Sequence, residues 1–308
     1  MHDLFADRLL AAIDAKGSPI CVGIDPMYEM LPDEIAGPGN ARNANDAEAC
    51  VDAIFAFTTE VLRLVAPLVP CVKFQSAYFE KYLWEGVEAY YSLIQEAKEL
   101  GLVVIGDVKR GDIGSTSAAY AAAHLSDPPF DEHEDTRAPD AITINPFLGM
   151  DSIEPFVKVA RDDGKGLFVL VRTSNPGSAD LQDAKTEDGR TFSELLADKL
   201  KPIAAKEGLV GDSGWSSIGA VVGATQPHTM TSLRQRLPRS IFLLPGYGTQ
   251  GATAEMTKAA FINGKGAIVS ASRSILYAHR DAKYAGMSWK DAVTNAVLEM
   301  RRDLSKIG

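Results

Sequence analysis

The stretch VVIGDVKRGDIGST (103–116) ends an apolar run in a packed group of opposite charges, Asp107, Lys109, Arg110 and Asp112. Asp107 and Lys109 alternate, so an extended strand points both to one side. If that side is an interior, a carboxylate and an ammonium meet in a low-dielectric site where Val, Ile and Leu are the usual filling. Such a pair can stabilise developing negative charge and deliver a proton. Two other apolar runs carry charge near their ends: Lys73 in CVKFQ (71–75) and Asp25 in VGIDP (22–26). Alone, Lys73 reads as a solvated strand end and Asp25 as a turn initiator before Pro26. Side by side they predict a Lys73–Asp107–Lys109 array, with Asp25, at a third charged strand end, as a ligand contact.

A second group has the chemistry of anion binding. GYGTQG (246–251) lies between a predicted strand and a helix. It matches the dinucleotide pattern G-x-G-x-x-G, but the acid expected about 20 residues on to hold a ribose is missing, since that region reads VSASRS. A phosphate fits better. Gly246, Gly248 and Gly251 allow a tight loop that offers backbone N–H groups. Gln250 can donate to an oxygen, and Arg273 offers a bidentate fork. RTSNPGS (172–178) and TINPFLG (143–149) place Ser174, Asn175 and Asn145 at two further run ends, as weaker polar candidates.

Positioning these residues requires a particular frame. Eight short, nearly continuous apolar runs recur: 20–25, 71–75, 102–109, 141–146, 166–174, 217–225, 241–248 and 266–273. Strands buried on both faces read this way. Helical periodicity fills the intervals, and Gly101, Gly208 and Gly264 follow helices where a left-handed cap is wanted. The pattern predicts an α/β fold, a single (β/α)8 TIM barrel over residues 1–308 with an extra N-terminal helix (about 3–16) closing its bottom. An open doubly wound sheet is the alternative. In a barrel the loops after runs one and five (26–47 and 175–190) lie on the active-site face, and the acidic loop 126–139 lies on the opposite face.

Composition narrows the function. The 308 residues are 46% hydrophobic and carry a net charge of −10, which argues against nucleic acid or an anionic membrane as partner. Cys21, Cys50 and Cys71 lack metal spacing and read as reduced thiols of a cytoplasmic protein. The N-terminus carries acids throughout and is not a signal peptide, and no run approaches the ~20 apolar residues that span a bilayer. His2, His124, His133, His228 and His279 form no i, i+4 pair and read as surface residues, so no metal site is expected.

From VGIDP to SASRSILYA, these features together resemble the orotidine 5′-phosphate decarboxylase family, in its longer bacterial subfamily (type 2). The most specific part is D-x-K-x-x-D, here Asp107, Lys109 and Asp112, preceded by Lys73 and followed in order by PGYGTQG and SRSI. The resemblance implies conversion of orotidine 5′-phosphate to UMP and carbon dioxide in de novo pyrimidine synthesis, without cofactor or metal. It implies that Lys73, Asp107, Lys109 and Asp112 form a charged network with Lys109 as proton donor. It further implies a homodimer in which Asp112 and its neighbour Thr116 reach into the partner's site. Asp25 and Lys73 would hold the ribose, Ser174 the pyrimidine amide, and Gln250 and Arg273 the phosphate, while Asn145 gets no firm role. Three rivals stay open: a magnesium-dependent sugar-phosphate decarboxylase of the same superfamily, a non-catalytic nucleotide-binding barrel, and a phosphate-binding barrel acting on an indole or other cyclic substrate. The first carries an acidic metal ligand where this chain has Lys73.

Overall fold

The computed structural model describes residues 3–37, 46–130, 137–224, 227–248 and 251–306. The eight apolar runs become parallel strands: β1 (Ile20–Ile24), β2 (Cys71–Gln75), β3 (Val103–Arg110), β4 (Ala141–Ile144), β5 (Gly166–Arg172), β6 (Ser216–Val222), β7 (Ser240–Leu244) and β8 (Ala267–Ala271). Each pairs with its neighbour in chain order, and β8 pairs back onto β1, so the sheet is a closed barrel. Closure excludes the open doubly wound alternative.

Helices alternate with the strands. α1 (Phe5–Lys16) precedes β1. α2 (Asp33–Ala36) and α3 (Ala47–Val65) lead to β2, and α4 (Ala77–Glu80) and α5 (Leu83–Glu99) to β3. α6 (Gly114–Leu125), α7 (Glu154–Asp162), then α8 (Ser178–Gln182) with α9 (Phe192–Ala204), follow β3, β4 and β5. α10 (Pro227–Arg236) follows β6, α11 (Ala254–Thr257) follows β7, and α12 (Arg273–Leu276) and α13 (Trp289–Leu304) come after β8. Local chemistry sets several ends. Asp46 caps α3 by accepting from the Ala49 N–H, and Thr191 with Glu194 forms a reciprocal capping box on α9.

Two apolar clusters follow from the two faces of the sheet. The outward-facing side chains, such as Val22, Val72, Val104, Ile142 and Val169, pack against the surrounding helices. The inward-facing set at the barrel's N-terminal end, including Cys21, Cys71, Val103, Ile105, Phe168, Ile241 and Ile268, packs with Phe5, Leu9, Leu10 and Ile13 of α1. The N-terminal helix therefore closes the barrel floor, and the Phe5 ring stands edge-on to Phe168 at 5.8 Å. No helix among the described residues is long and apolar enough to cross a membrane.

Two of the three long loops are less irregular than the turn-rich sequence suggests. The segment after β1 holds a short 3-10 helix (Tyr28–Met30) and α2. The segment after β5 holds α8 and an antiparallel bridge between Lys185 and Thr191. Its organiser is Arg172, a side chain 2% exposed. The Arg172 guanidinium donates to Ser178, to Gln182 (3.3 Å) and to Asp183 (2.9 Å). A buried cation gathers hydrogen-bond acceptors, because leaving it unpaired costs several kcal/mol, on the order of 3–5.

Candidate active site at the C-terminal mouth of the barrel

Above the apolar floor the inward-facing positions turn polar. In register, Gly23, Lys73 and Ile105 stand side by side on β1, β2 and β3, and Gln75 stands beside Asp107. Side chains point inward at every second residue, so β2 presents Cys71, Lys73 and Gln75 and β3 presents Ile105, Asp107 and Lys109. Lys73 and Asp107 are 7% and 6% exposed. Lys73 Nζ donates to Asp107 Oδ2 at 2.6 Å, and Lys109 Nζ donates to Asp107 Oδ1 at 2.6 Å. Gln75 Nε2 adds a bond to Oδ2 (3.0 Å), and the Thr143 hydroxyl, from β4, one to Oδ1 (2.8 Å). Asp25 lies just past β1, its Oδ1 3.9 Å from Lys73 Nζ.

The electrostatics follow from burial set against these partners. Burial alone would push the Asp107 carboxyl up; the charges of Lys73 and Lys109 and the bonds they donate prevail and hold it well below the usual carboxylate range. Burial alone would likewise depress Lys73, but Asp107 and Asp25 raise it above an ordinary lysine. Both groups are therefore charged across the neutral range.

The backbone at Lys109 is unusual. Its φ is +47°, a left-handed value for a residue with a side chain, where about 1–2 kcal/mol is stored. The β3–β4 register shifts between Gly106 and Arg110, so Lys109 rides a bulge. The next residue, Arg110, faces away from the site, as alternation along the strand places it. Arg110 pairs with Glu80 at 2.5 Å and donates to His124 at 3.2 Å on the helix side of the sheet.

Not every expected residue joins the array. Asp112 makes no ion pair among the described residues; its carboxylate accepts from the N–H of Ile113 at 2.8 Å. Thr116 is exposed on the first turn of α6. Asp112 is half-buried and Thr116 exposed, and neither joins the Lys73–Asp107–Lys109 group within its own chain. Asn145 follows β4, and its N–H donates to Arg110 O at 2.8 Å. The side chain of Asn145 caps the Phe147 N–H, a local turn role.

The other candidates ring the mouth. Ser174 follows β5 and is half-buried; a Cβ added at Gly223, after β6, would stand only 3.0 Å from its Cα. Arg273 does not end β8, as the apolar run suggested. The strand stops at Ala271, Ser272 takes an irregular conformation (φ −121°, ψ −84°), and Arg273 opens the short α12, exposed. Gly246, Gly248 and Gly251 all have positive φ (103°, 73° and 83°), which a loop folded back on itself requires. The Gly251 N–H closes that loop on Gly248 O at 2.9 Å. A Cβ at Gly248 would stand 3.3 Å from Ser274 Oγ, so the loop lies against the Arg273 segment. Gln250 lies outside the described residues.

Two histidines depart from the surface reading. His124 is half-buried beside Arg110 in a cavity of about 170 Å³ shared with Tyr90 and Tyr91, and burial together with the Arg110 charge lowers it to about 4. His279 is half-buried against Tyr277. Helix-face position, which a spacing test for metal pairs ignores, was the signal available. Thr143, Gln75 and Arg172 were not singled out from sequence at all. Among the described residues no three His, Cys, Asp or Glu side chains are grouped to hold a metal ion.

Comparison with known proteins agrees with this geometry. The model of the family described as orotidine 5′-phosphate decarboxylase / HUMPS matches residues 18–287. A protein of Rhodopirellula baltica named orotidine 5′-phosphate decarboxylase is 42% identical over 308 residues, covering 97% of this chain and 98% of that protein. One of the same name from Caldicellulosiruptor bescii is 40% identical, with 90% of each chain covered. Among solved structures, a putative orotidine 5′-phosphate decarboxylase of Streptomyces avermitilis superposes with a TM-score of 0.77 at 32% identity, covering 99% of this chain and 97% of that one.

Proposed function

The chain belongs to the orotidine 5′-phosphate decarboxylase / HUMPS family, and we propose that it converts orotidine 5′-phosphate to UMP and carbon dioxide in pyrimidine synthesis, without a cofactor. The observation that carries this reading is the Asp107 carboxylate held between Lys73 and Lys109, each at 2.6 Å, at the mouth of the barrel.

Loss of carbon dioxide from this substrate leaves an electron pair in the ring plane at carbon 6, outside the conjugated π-system. Stabilisation must come from fixed charge that favours the transition state over the bound substrate. Lys109, whose side chain is 45% exposed and so open to the mouth, is placed to face that carbon and to protonate it as the carbon–carboxylate bond breaks. Asp107 lies next to the departing carboxylate, and the like-charge repulsion is relieved as carbon dioxide leaves. Lys73 and Asp25 hold the ribose hydroxyls, Ser174 reads the pyrimidine amide, and Arg273, Gln250 and the loop of Gly246, Gly248 and Gly251 take the phosphate. Phosphate binding, remote from the bond that breaks, supplies energy for closing the mouth.

The reading extends to assembly. We propose that the whole chain acts as one barrel domain in a cytoplasmic homodimer, Asp112 and Thr116 completing the partner's site. Ile113, Phe147 and Leu148 support this: 58%, 69% and 51% exposed, they are more apolar surface than a solvated rim needs. Cys21, Cys50 and Cys71, all buried, suit a reducing compartment.

The magnesium-dependent rival is disfavoured by the cation Lys73, which sits where that class places an acidic ligand. The test is ultraviolet loss of orotidine 5′-phosphate with purified protein and excess EDTA. Conversion to UMP is expected. No conversion, with or without restored magnesium, overturns the proposal, and conversion only with magnesium moves the chain to the rival class. Mixing Lys109→Ala with Asp112→Ala protein tests the dimer: subunit exchange should restore up to about a quarter of native activity through mixed dimers with one intact site. Two inactive proteins that stay inactive after exchange would overturn the shared site.

A further inference from the structure

Thr143 is 1% exposed at an inward-facing position of β4, where a barrel interior ordinarily holds an aliphatic side chain. Its single hydroxyl serves two groups at once. Its Oγ1 accepts the backbone N–H of Lys109 at 3.0 Å, and it donates to Asp107 Oδ1 at 2.8 Å. The second bond ends on the same carboxylate oxygen that accepts Lys109 Nζ at 2.6 Å. The bulge explains why a side chain is needed. Between Gly106 and Arg110 the β3–β4 ladder loses register, and Lys109 sits there in a left-handed conformation without a strand partner. A part-buried N–H left without its ladder partner is costly, and a hydroxyl has both the donor and the acceptor this place requires.

We propose that Thr143 is a positioning residue for the decarboxylation: its hydroxyl closes a ring from the Lys109 backbone through Asp107 Oδ1 to the Lys109 ammonium, fixing that ammonium in the mouth. The proposal rests on the reading of Lys109 as proton donor. Because the ring acts on the reacting geometry and not on substrate capture, its loss falls on kcat. Misplacement of a reacting group by a fraction of its bond length to an ångström costs about ten- to a hundredfold in rate.

The experiment compares Thr143→Val, which keeps the shape and removes both bonds, with Thr143→Ser, which keeps the hydroxyl, and with Lys109→Ala. Each is assayed for kcat and KM on orotidine 5′-phosphate, with thermal unfolding recorded alongside. Expected are a kcat for Thr143→Val lower by about ten- to a hundredfold, a KM within about threefold of native, and recovery of most of kcat in Thr143→Ser. A native kcat in Thr143→Val, or a Thr143→Ser variant as impaired as Thr143→Val, overturns the proposal. So does a loss that appears only in KM. Should Thr143→Val fail to fold, Thr143→Cys against Thr143→Ser decides, the thiol being a weak donor: equal kcat values overturn the proposal, and a lower kcat for Cys supports it. Lys109→Ala separates the two levels. If it keeps full activity, the proton-donor reading fails; if it is inactive while Thr143→Val is native, only the role of Thr143 fails.

Discussion

Lys73 and Lys109 approach one carboxylate from separate strands, Lys73 on Oδ2 and Lys109 on Oδ1 of Asp107, both at 2.6 Å. They are not equivalent. Lys73 is buried, whereas the Lys109 side chain is 45% exposed at the mouth.

That difference separates two variants. Lys109→Ala leaves Asp107 with Lys73, Gln75 and Thr143, so the fold should hold while turnover falls by about a thousandfold or more. Asp107→Asn leaves the buried Lys73 ammonium with Asp25, at 3.9 Å, as its counter-charge among the described residues, and should cost on the order of 3–5 kcal/mol of stability as well as activity. Steady-state kinetics and urea unfolding on both proteins check this; a Lys109→Ala enzyme with most of its activity would remove the proton-donor assignment.

Packing behind Ser174 offers a second test. A Cβ at Gly223 would stand 3.0 Å from Ser174 Cα and 3.1 Å from both its N and the Thr173 carbonyl, closer than such contacts normally sit. Gly223→Ala should push the Ser174 segment off its place, raising KM by about tenfold with a smaller change in kcat. An unchanged KM would show that Ser174 does not read the substrate.

Arg172 ties the loop after β5 to the barrel wall. Arg172→Met should destabilise the chain by about 2–4 kcal/mol and expose residues 178–191 to limited proteolysis. Arg172→Lys should not rescue it, because one ammonium cannot supply the fork that reaches Ser178, Gln182 and Asp183 together. Native resistance to protease in Arg172→Met would contradict the anchor.

The pH response has three parts. Asp107, lowered in the folded chain, contributes stability that is present above about pH 4, the unfolded value, and is lost as pH falls through its lower folded one. Lys73, raised, contributes stability present below about pH 10 and lost above it. Neither contributes between about pH 4 and 6.5, but His124 does. Its folded value, about 4, lies below the unfolded one, so the unfolded chain binds the extra proton and stability falls as pH drops from about 6.5 toward 4. The urea midpoint should decline by about half a molar unit over that window, and His124→Phe should flatten the decline. An equally steep decline in the variant would assign it elsewhere.

The fold was legible because a strand buried on both faces cannot hide its composition. Eight such runs separated by helical periodicity admit few architectures, and the amphipathic N-terminus had an apolar face that needed a floor to cover. Lys73, Asp107 and Lys109 were legible for the opposite reason: charge inside such a run has to be compensated nearby. The ends were read less well, as with Arg273, because an apolar run continues into the first turn after a strand whether or not the backbone stays extended.

By itself, then, the chain's pattern of burial and charge determined eight buried strands alternating with helices and three charges at their ends, and the order of its motifs carried the resemblance to the family; closure of the sheet into a barrel was decided in three dimensions. Tertiary structure alone decided what surrounds those charges. Thr143 is 36 residues from Asp107 and looks like any strand threonine until β4 is laid beside β3. Arg172 looks like a surface cation until its loop folds over it, and the left-handed turn at Lys109 depends on a register shift between two strands. Hydrogen bonds act between neighbours in space, and the spacing of residue types along the chain records burial far better than it records which neighbours burial brings together.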